Sequence, residues 1–266
     1  MTSESAFEAI LAAMGAAGAR MVQLGAAEGA AGNISVFTPQ LTPDARFSPR
    51  GSLALPVAVP ALADGWVVVT GSAQRLGDIA RAPATTLCLL EIQPGGTHAT
   101  LYGDATRPTT ELNTHLAVHN DQIAQHSHAL HAVVHAQPVR LTYLSHIERY
   151  ADGDAFSRRL LRWQPETIIE FPEGIGLLPF AVPGSAEQMQ ISAAALRTYR
   201  AIVWRRHGIV TRATSIAKAA DLVEYAEAAA HYEYLNLAAG EPSAGMSDDQ
   251  IRLICERLGI QQSLFE

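Results

Sequence analysis

Cysteine is scarce in this 266-residue chain, with only Cys88 and Cys255 present. The two are too few and too far apart in sequence for a disulfide framework or a thiolate metal cage. Their apolar neighbours give each a reduced packing role, which favours a reducing cytoplasm. Charge is also sparse: 17% of residues are charged, 19 basic against 26 acidic, for a formal net charge of -7. With no run of Lys or Arg, a nucleic acid is not an expected partner. The opening residues, MTSESAFEAI, are acidic where a secretory signal is basic. No uninterrupted apolar stretch approaches the roughly 20 residues of a membrane span, so the expectation is a soluble protein with no membrane partner. Repeats, low-complexity tracts and linkers are lacking too, and a 48% hydrophobic content suits one well-buried α/β domain spanning residues 1–266.

What is present is an alternation of helical and strand-like segments. Phe7, Ile10, Leu11, Met14, Met21 and Val22 recur at helical spacing and predict a helix over about Glu4 to Leu24. After the turn from Gly25 to Gly32, residues 33–37 alternate as a strand with one buried face. Residues 38–65 read as an irregular excursion with short strands, and Trp66 to Thr70 as a buried strand running into Gly71-Ser72. Leu87 to Ile92 and Thr97 to Tyr102 flank Gln93-Pro94-Gly95-Gly96 as a hairpin. Thr109-Thr110-Glu111 opens a helix through about Gln125. Then comes Ala132 to Pro138, AVVHAQP, a buried strand ending in polar residues, followed by a helix from Pro138 to about Ile147. A polar segment leads to a strand over Thr167 to Phe171, and a helix covers about Ala186 to Arg197. Ala201 to Trp204 is a further strand, closing on Arg205-Arg206-His207-Gly208. A long helix runs from about Ser215 to Ala239, and Ser247 to Gln250 has capping-box form before a last short helix.

Several of these strands stop at turn residues and polar side chains, which is where a site is commonly built. If the AVVHAQP strand persists, His135 and Gln137 leave the same face and can grip one ion or substrate. Each strand end also has a plain structural reading. Gly32-Asn33 and Gly71-Ser72 serve as turns, Glu111 as an acid favoured in a first helical turn, and Glu166 as a surface acid before a strand. The order and spacing of the pieces taken together carry the functional reading.

Those pieces are Gly32-Asn33-Ile34-Ser35, Val69-Thr70-Gly71-Ser72, Thr109-Thr110-Glu111-Leu112 with His115, and Val133-Val134-His135. They continue with Glu166, Phe171 to Pro179, Val182-Pro183-Gly184, and Trp204 with His207-Gly208. In this order the sequence resembles the class II aldolase/adducin family over nearly its whole length. The segment from Phe171 to Gly184 is most similar to the rhamnulose branch of that family.

The resemblance implies a single α/β domain with a central, mainly antiparallel sheet flanked by helices. It also implies a homotetramer with active sites between subunits and a divalent metal, most often Zn2+. Two of the family's three metal histidines match His135 and His207. Its catalytic carboxylate, which can also coordinate the ion, matches Glu111, and its third histidine position is occupied by Gln137. An amide oxygen is a weaker and harder ligand than imidazole, so Gln137 implies reduced zinc affinity. His115, His131 and His146 are close in sequence, but none matches a family metal position. Asn33, Ser35, Thr70, Gly71, Ser72, Thr109 and Thr110 match the family's substrate phosphate-binding positions. The pattern departs at Ala30 and at Ala73-Gln74, where the rhamnulose enzymes carry Asn and Gly-Lys. Glu166 matches an acid that a neighbouring subunit supplies. The implied activity is cleavage of a deoxyketose 1-phosphate, such as rhamnulose 1-phosphate, to dihydroxyacetone phosphate and an aldehyde such as lactaldehyde. The alternatives are another metal-dependent reaction on the same fold, namely epimerase, dehydratase or decarboxylase chemistry, or an adducin-like assembly module without catalysis.

Overall fold

The computed structural model of the protein describes residues 3–105, 107–126 and 128–265. The first half contains α1 (Ser3–Gln23), β1 (Asn33–Thr38), β2 (Pro49–Ala54), β3 (Trp66–Thr70), α2 (Pro83–Thr86), β4 (Leu87–Ile92), β5 (His98–Tyr102), α3 (Leu112–Gln125) and β6 (His131–Ala136). The second contains α4 (Val139–Leu144), α5 (Gly153–Leu161), α6 (Pro165–Glu170), β7 (Gly176–Leu178), α7 (Ala186–Ala195), β8 (Ala201–Trp204), β9 (Gly208–Ala213), α8 (Ile216–Ala238) and α9 (Asp248–Leu258).

The strands form one nine-stranded sheet in the order β2-β5-β4-β3-β1-β6-β9-β8-β7. The β7–β8 pair is parallel and the other pairs are antiparallel. This is an α/β domain with a central, mostly antiparallel mixed sheet flanked by helices. The main apolar core unites α1 and α8 with the Ile34, Val36, Val68 and Val134 side of the sheet. Strand side chains alternate between faces, so Asn33, Ser35, Val133 and His135 point the other way, toward α3. On that face the apolar residues split into two clusters. One contains Val67, Val69, Leu112 and Leu116, and the other Val118, Val133, Leu196 and Trp204.

Four local results differ from the sequence reading. Thr167 to Phe171 is no strand, because residues 165–170 form helix α6. Pro165 sits in its first turn, Glu166 is its first-turn acid, and Ile169 is exposed beside buried Ile168. A run of only four to five β-prone residues fits a helical turn equally well, and here the proline decides it. Strand β9 was not anticipated between the Arg205 to Gly208 turn and the long helix, yet it pairs with both β6 and β8 and completes the centre of the sheet. Strand β6 stops at Ala136, so strand alternation does not extend to Gln137. Strand β1 is buried on both faces where one buried face was expected.

The chain after β6 is held firmly. Buried Glu227 of α8 accepts hydrogen bonds from the backbone N–H of Leu141 at 2.9 Å and of Arg140 at 3.2 Å. It thereby takes the place of a side-chain cap at the start of α4, where the Pro138 side chain has no acceptor to offer. Capping follows ordinary rules elsewhere: Ser215 caps α8, and Ser247 with Gln250 forms the expected capping box of α9.

Candidate metal centre

Strands β1 and β6 pair so that Asn33 lies opposite His135, both facing α3. Glu111 occupies the N-cap position of α3 but makes no capping hydrogen bond with its side chain. Its carboxylate turns instead toward the sheet, where Oε2 accepts a hydrogen bond from Asn33 Nδ2 at 2.7 Å. The tight turn from β8 into β9 supplies His207, with Arg206 just before it in the left-handed region at φ 65°. Gly208 is required there, since a Cβ would lie 3.0 Å from His135 Cε1 and closer still to the Ala136 carbonyl. Three separate elements thus deliver Glu111, His135 and His207 to one place.

His135 Nε2 stands 3.7 Å from Glu111 Oε2, and His207 Nε2 stands 3.7 Å from Glu111 Oε1. One donor atom from each of the three residues falls within 4.8 Å of the others. Glu111 Oε1 is buried and has no hydrogen-bond partner, an arrangement that costs free energy unless something else satisfies it. His135 Nδ1 donates to the Ile209 carbonyl at 2.9 Å, which leaves the Nε2 lone pair facing the carboxylate. Gln188 Nε2 is 3.4 Å from His207 Nδ1, too long a contact to fix that ring's tautomer. The indole of Trp204 lies against both rings, its centroid 4.8 Å from that of His135 and 5.0 Å from that of His207. Trp204 is itself fixed by a 2.8 Å bond from Nε1 to Ser192 Oγ. A buried carboxylate that turns one oxygen toward each of two imidazole nitrogens, with Oε1 orphaned, is the donor set of a divalent metal site with positions left for substrate.

The charge states agree with that reading. Burial first, and then the neighbouring His135, push His207 down to about 4, so it is a neutral ligand at physiological pH. Burial pushes the Glu111 carboxyl up, but His135, the Asn33 hydrogen bond and His207 outweigh it and hold the group below its ordinary range. Glu111 is therefore an anion facing the neutral His207 ring.

A cavity of about 180 Å³ opens onto this cluster. Its lining brings together Asn33, Gly71, Ser72, Thr109, Thr110, Glu111, His135, Gln137 and His207, and also Ala30 and Ala73. Gln137 reaches it without belonging to the strand, anchored by a 2.8 Å bond from its backbone N–H to the Ala26 carbonyl. Ala73 holds φ 60°, a strained value for a residue with a Cβ.

Two of the expected phosphate residues are not in the lining. Thr70 Oγ1 accepts from the Ile34 backbone N–H at 3.2 Å, and Ser35 Oγ lies between His115 Nδ1 at 2.6 Å and His119 Nε2 at 2.7 Å. Glu166 is exposed in the first turn of α6 and also lies outside the lining. Of the reserve histidines, His115 has both ring nitrogens engaged, with Ser35 and with Asn33 Oδ1. His131 is at the far end of β6 from His135, and His146 is exposed. The sequence reading gave no sign that Asn33 braces Glu111 or that His115 braces Asn33. The available signal was the spacing of Glu111 and His115, four apart at the start of a helix and so on one face.

The profile of the Class II Aldolase and Adducin N-terminal domain matches residues 12–234. The chain belongs to the class II aldolase and adducin family. A rhamnulose-1-phosphate aldolase of Listeria monocytogenes is 30% identical over 211 residues, covering 75% of this chain and 74% of that protein. A protein of the same name from Bacteroides thetaiotaomicron is 28% identical over 234 residues, covering 86% and 87%. Among solved structures, a sugar-phosphate aldolase from Thermotoga maritima superposes with a TM-score of 0.76 at 24% identity, over 90% of this chain and 99% of that one, and so shares the fold. Membership of this class II aldolase family and the Glu111, His135 and His207 triad together support metal-dependent lyase chemistry.

Proposed function

We propose that the protein is a metal-dependent aldolase that cleaves a deoxyketose 1-phosphate, of the rhamnulose 1-phosphate type, to dihydroxyacetone phosphate and an aldehyde such as lactaldehyde. The observation that carries this reading is the buried Glu111 carboxylate, which faces His135 with Oε2 and His207 with an unpartnered Oε1 and lines a cavity together with two backbone turns. The relatives named rhamnulose-1-phosphate aldolase support the sugar.

Glu111, His135 and His207 would hold a divalent ion, with Zn2+ the expected one and Gln137 a further oxygen donor from the rim. When bound, that ion supplies Lewis-acid polarisation of the ketone and its neighbouring hydroxyl, and so stabilises negative charge as the carbon–carbon bond breaks. The substrate phosphate sits against Asn33, Gly71, Ser72, Thr109 and Thr110, where the hydroxyls of Ser72, Thr109 and Thr110 are the donors, since the backbone N–H groups of Gly71, Ser72 and Thr109 are bonded to the carbonyls of Thr86, Arg107 and Thr70. Ser35 and Thr70, which match phosphate-binding positions of the family, shape this subsite from behind by holding His115 and β1.

Cleavage removes the proton of the hydroxyl that becomes the aldehyde, and Glu166 of a neighbouring subunit is its acceptor. The electron pair of the broken bond remains on the ketone-side carbon, and the ionised Glu111 takes up a proton from solvent and delivers it there to give dihydroxyacetone phosphate, while Glu166 returns its own proton to solvent. This places the site between subunits of a homotetramer and accounts for an exposed Glu166. Among the described residues no helix is long and apolar enough to cross a membrane, in keeping with a cytoplasmic enzyme.

One observation favours a second reading. With Gln137 where a third imidazole is expected, and Ala73 at the phosphate rim, the site also suits a differently shaped sugar phosphate undergoing epimerisation, dehydration or decarboxylation. A coupled assay for dihydroxyacetone phosphate across a panel of ketose 1-phosphates, run on metal-loaded protein, decides between them. Release from a 6-deoxyketose 1-phosphate supports the aldolase, whereas bound metal with no release from any member of the panel contradicts it.

A further inference from the structure

A line of buried polar side chains leaves the metal centre and crosses the α3 face of the sheet between the two apolar clusters. It runs from Glu111 to Asn33, His115, Ser35, His119 and His131. Its direction is fixed at the metal-centre end, because an ionised Glu111 only accepts, so Asn33 donates to it and offers Oδ1 to His115 Nε2–H. His115 Nδ1 then accepts from the Ser35 hydroxyl, Ser35 Oγ accepts from His119 Nε2–H, and His119 Nδ1 accepts from His131 Nδ1–H across 2.7 Å. The last ring is left with an unprotonated Nε2. That atom is buried and has no partner, and His131 lines a second cavity of about 390 Å³ at the opposite end of β6, about 13 Å along the strand from His135.

The second cavity has a definite chemistry. Gln122 Nε2 donates to the Leu196 carbonyl at 3.2 Å, and Gln122 Oε1, buried and lining the same cavity, has no partner. Two orphaned acceptors therefore call for O–H or N–H donors. The charged residues of the lining are all cations: Arg200, Arg212 and Lys218. Arg200 is paired with Glu173 and Lys218 with Glu170. Arg212 is bonded only to the carbonyls of Leu196 and Arg197 and has no ion-pair partner among the described residues. Burial, followed by the charge of Arg212 and the neighbouring His128 and His126, pushes His131 down to about 3, so it stays neutral and remains an acceptor at physiological pH. A metal ion does not suit this place, because Arg212 repels it and the His126, His128 and His131 nitrogens do not converge.

We propose that this second cavity is a binding site for a small oxyanion that also carries a hydroxyl, either hydrogen phosphate or a hydroxycarboxylate. The O–H donates to His131 Nε2 or Gln122 Oε1, and the anionic oxygens face Arg212, with Arg200 at the rim. Sulfate and simple carboxylates bring the charge without the donor and leave both acceptors orphaned, which is the basis of selectivity.

The test uses full-length, metal-loaded protein labelled at histidine. Inorganic phosphate, sulfate, glycolate and acetate are each titrated while the ring resonances of His131 are followed, these being assigned through His131→Gln. The expected result is saturable shifts with phosphate or glycolate at concentrations about tenfold or more below those needed for sulfate or acetate, the size of one lost hydrogen bond to a charged partner. The tighter of phosphate and glycolate names the natural class. Arg212→Gln is expected to weaken that binding about tenfold or more, while an anion bound only at the metal centre is indifferent to it. Arg200→Gln serves the same arm if Arg212→Gln does not fold. The proposal is overturned if His131 does not respond to phosphate or glycolate, meaning that the cavity holds water alone. It is equally overturned if the hydroxyl-free anions bind as tightly, or if neither arginine variant alters the midpoint.

Discussion

Asn33 and Glu111, 78 residues apart in sequence, are joined by a 2.7 Å hydrogen bond from the Asn33 side-chain amide to Glu111 Oε2. This bond turns the carboxylate away from its helix terminus, so that Oε2 stands 3.7 Å from His135 Nε2 and Oε1 stands 3.7 Å from His207 Nε2. In Glu111→Gln the amide oxygen takes the same bond from Asn33, and the NH2 group faces the ion. Metal is then held by His135 and His207 with somewhat lower affinity, while turnover falls by about 10²- to 10⁴-fold because the amide cannot carry the proton. Steady-state rates with metal content measured on the same samples check this. Near-normal turnover would remove Glu111 from the chemistry.

Gln137 lines the cavity together with His135 and His207. Gln137→His offers a third imidazole and is expected to tighten zinc roughly tenfold or more, equivalent to about 1.4 kcal/mol. Competition with a chromophoric chelator measures it. An unchanged affinity would mean that this side chain does not reach the ion. A tighter ion with slower turnover would show that the added ligand closes a position the substrate needs.

The buried histidines make stability sensitive to acid. Burial above all holds His115 at about 4, His131 at about 3 and His119 well below its ordinary value. Unfolded, each titrates near 6.5, so below that pH the unfolded chain takes up protons that the folded chain refuses. The contribution is fully present above about pH 6.5 and is lost as the pH falls toward 4 and then 3, at about 1.4 kcal/mol per pH unit for each histidine. Urea unfolding midpoints should therefore be level between pH 8 and 7 and drop steeply by pH 5. His131→Gln, which keeps a donor for His119, should make the slope shallower. A midpoint unchanged at pH 5 would contradict the neutral, buried relay.

How much of this was legible in the sequence depended on how local the signal was. The helix α1, the β4–β5 hairpin, and the capping of α8 and α9 follow from spacing, turn residues and Ser caps that act over a few positions. Residues 167–171 misled because two isoleucines and a threonine suit a strand, while Pro165 sets φ for a helix two residues earlier. His135, His207 and Glu111 could be named in order, but the reach between them depends on β9, a six-residue strand unassigned in the sequence reading, between the Arg205 to Gly208 turn and the long helix. The line from Asn33 to His131 could not be seen in advance. It alternates between β1, α3 and β6, and only the pairing of Asn33 with His135 and the packing of α3 across that face bring its members into contact. Ser35 reads equally well as a phosphate ligand or a core hydroxyl until that packing is known.

The most direct test of the metal centre is the metal content of purified protein, determined by mass spectrometry beside His135→Ala and His207→Ala at matched circular dichroism. With two of its three ligands on separate strand ends, the wild type should carry about one divalent ion per chain and each variant only a small fraction of it. Full metal content in both folded variants would contradict the site.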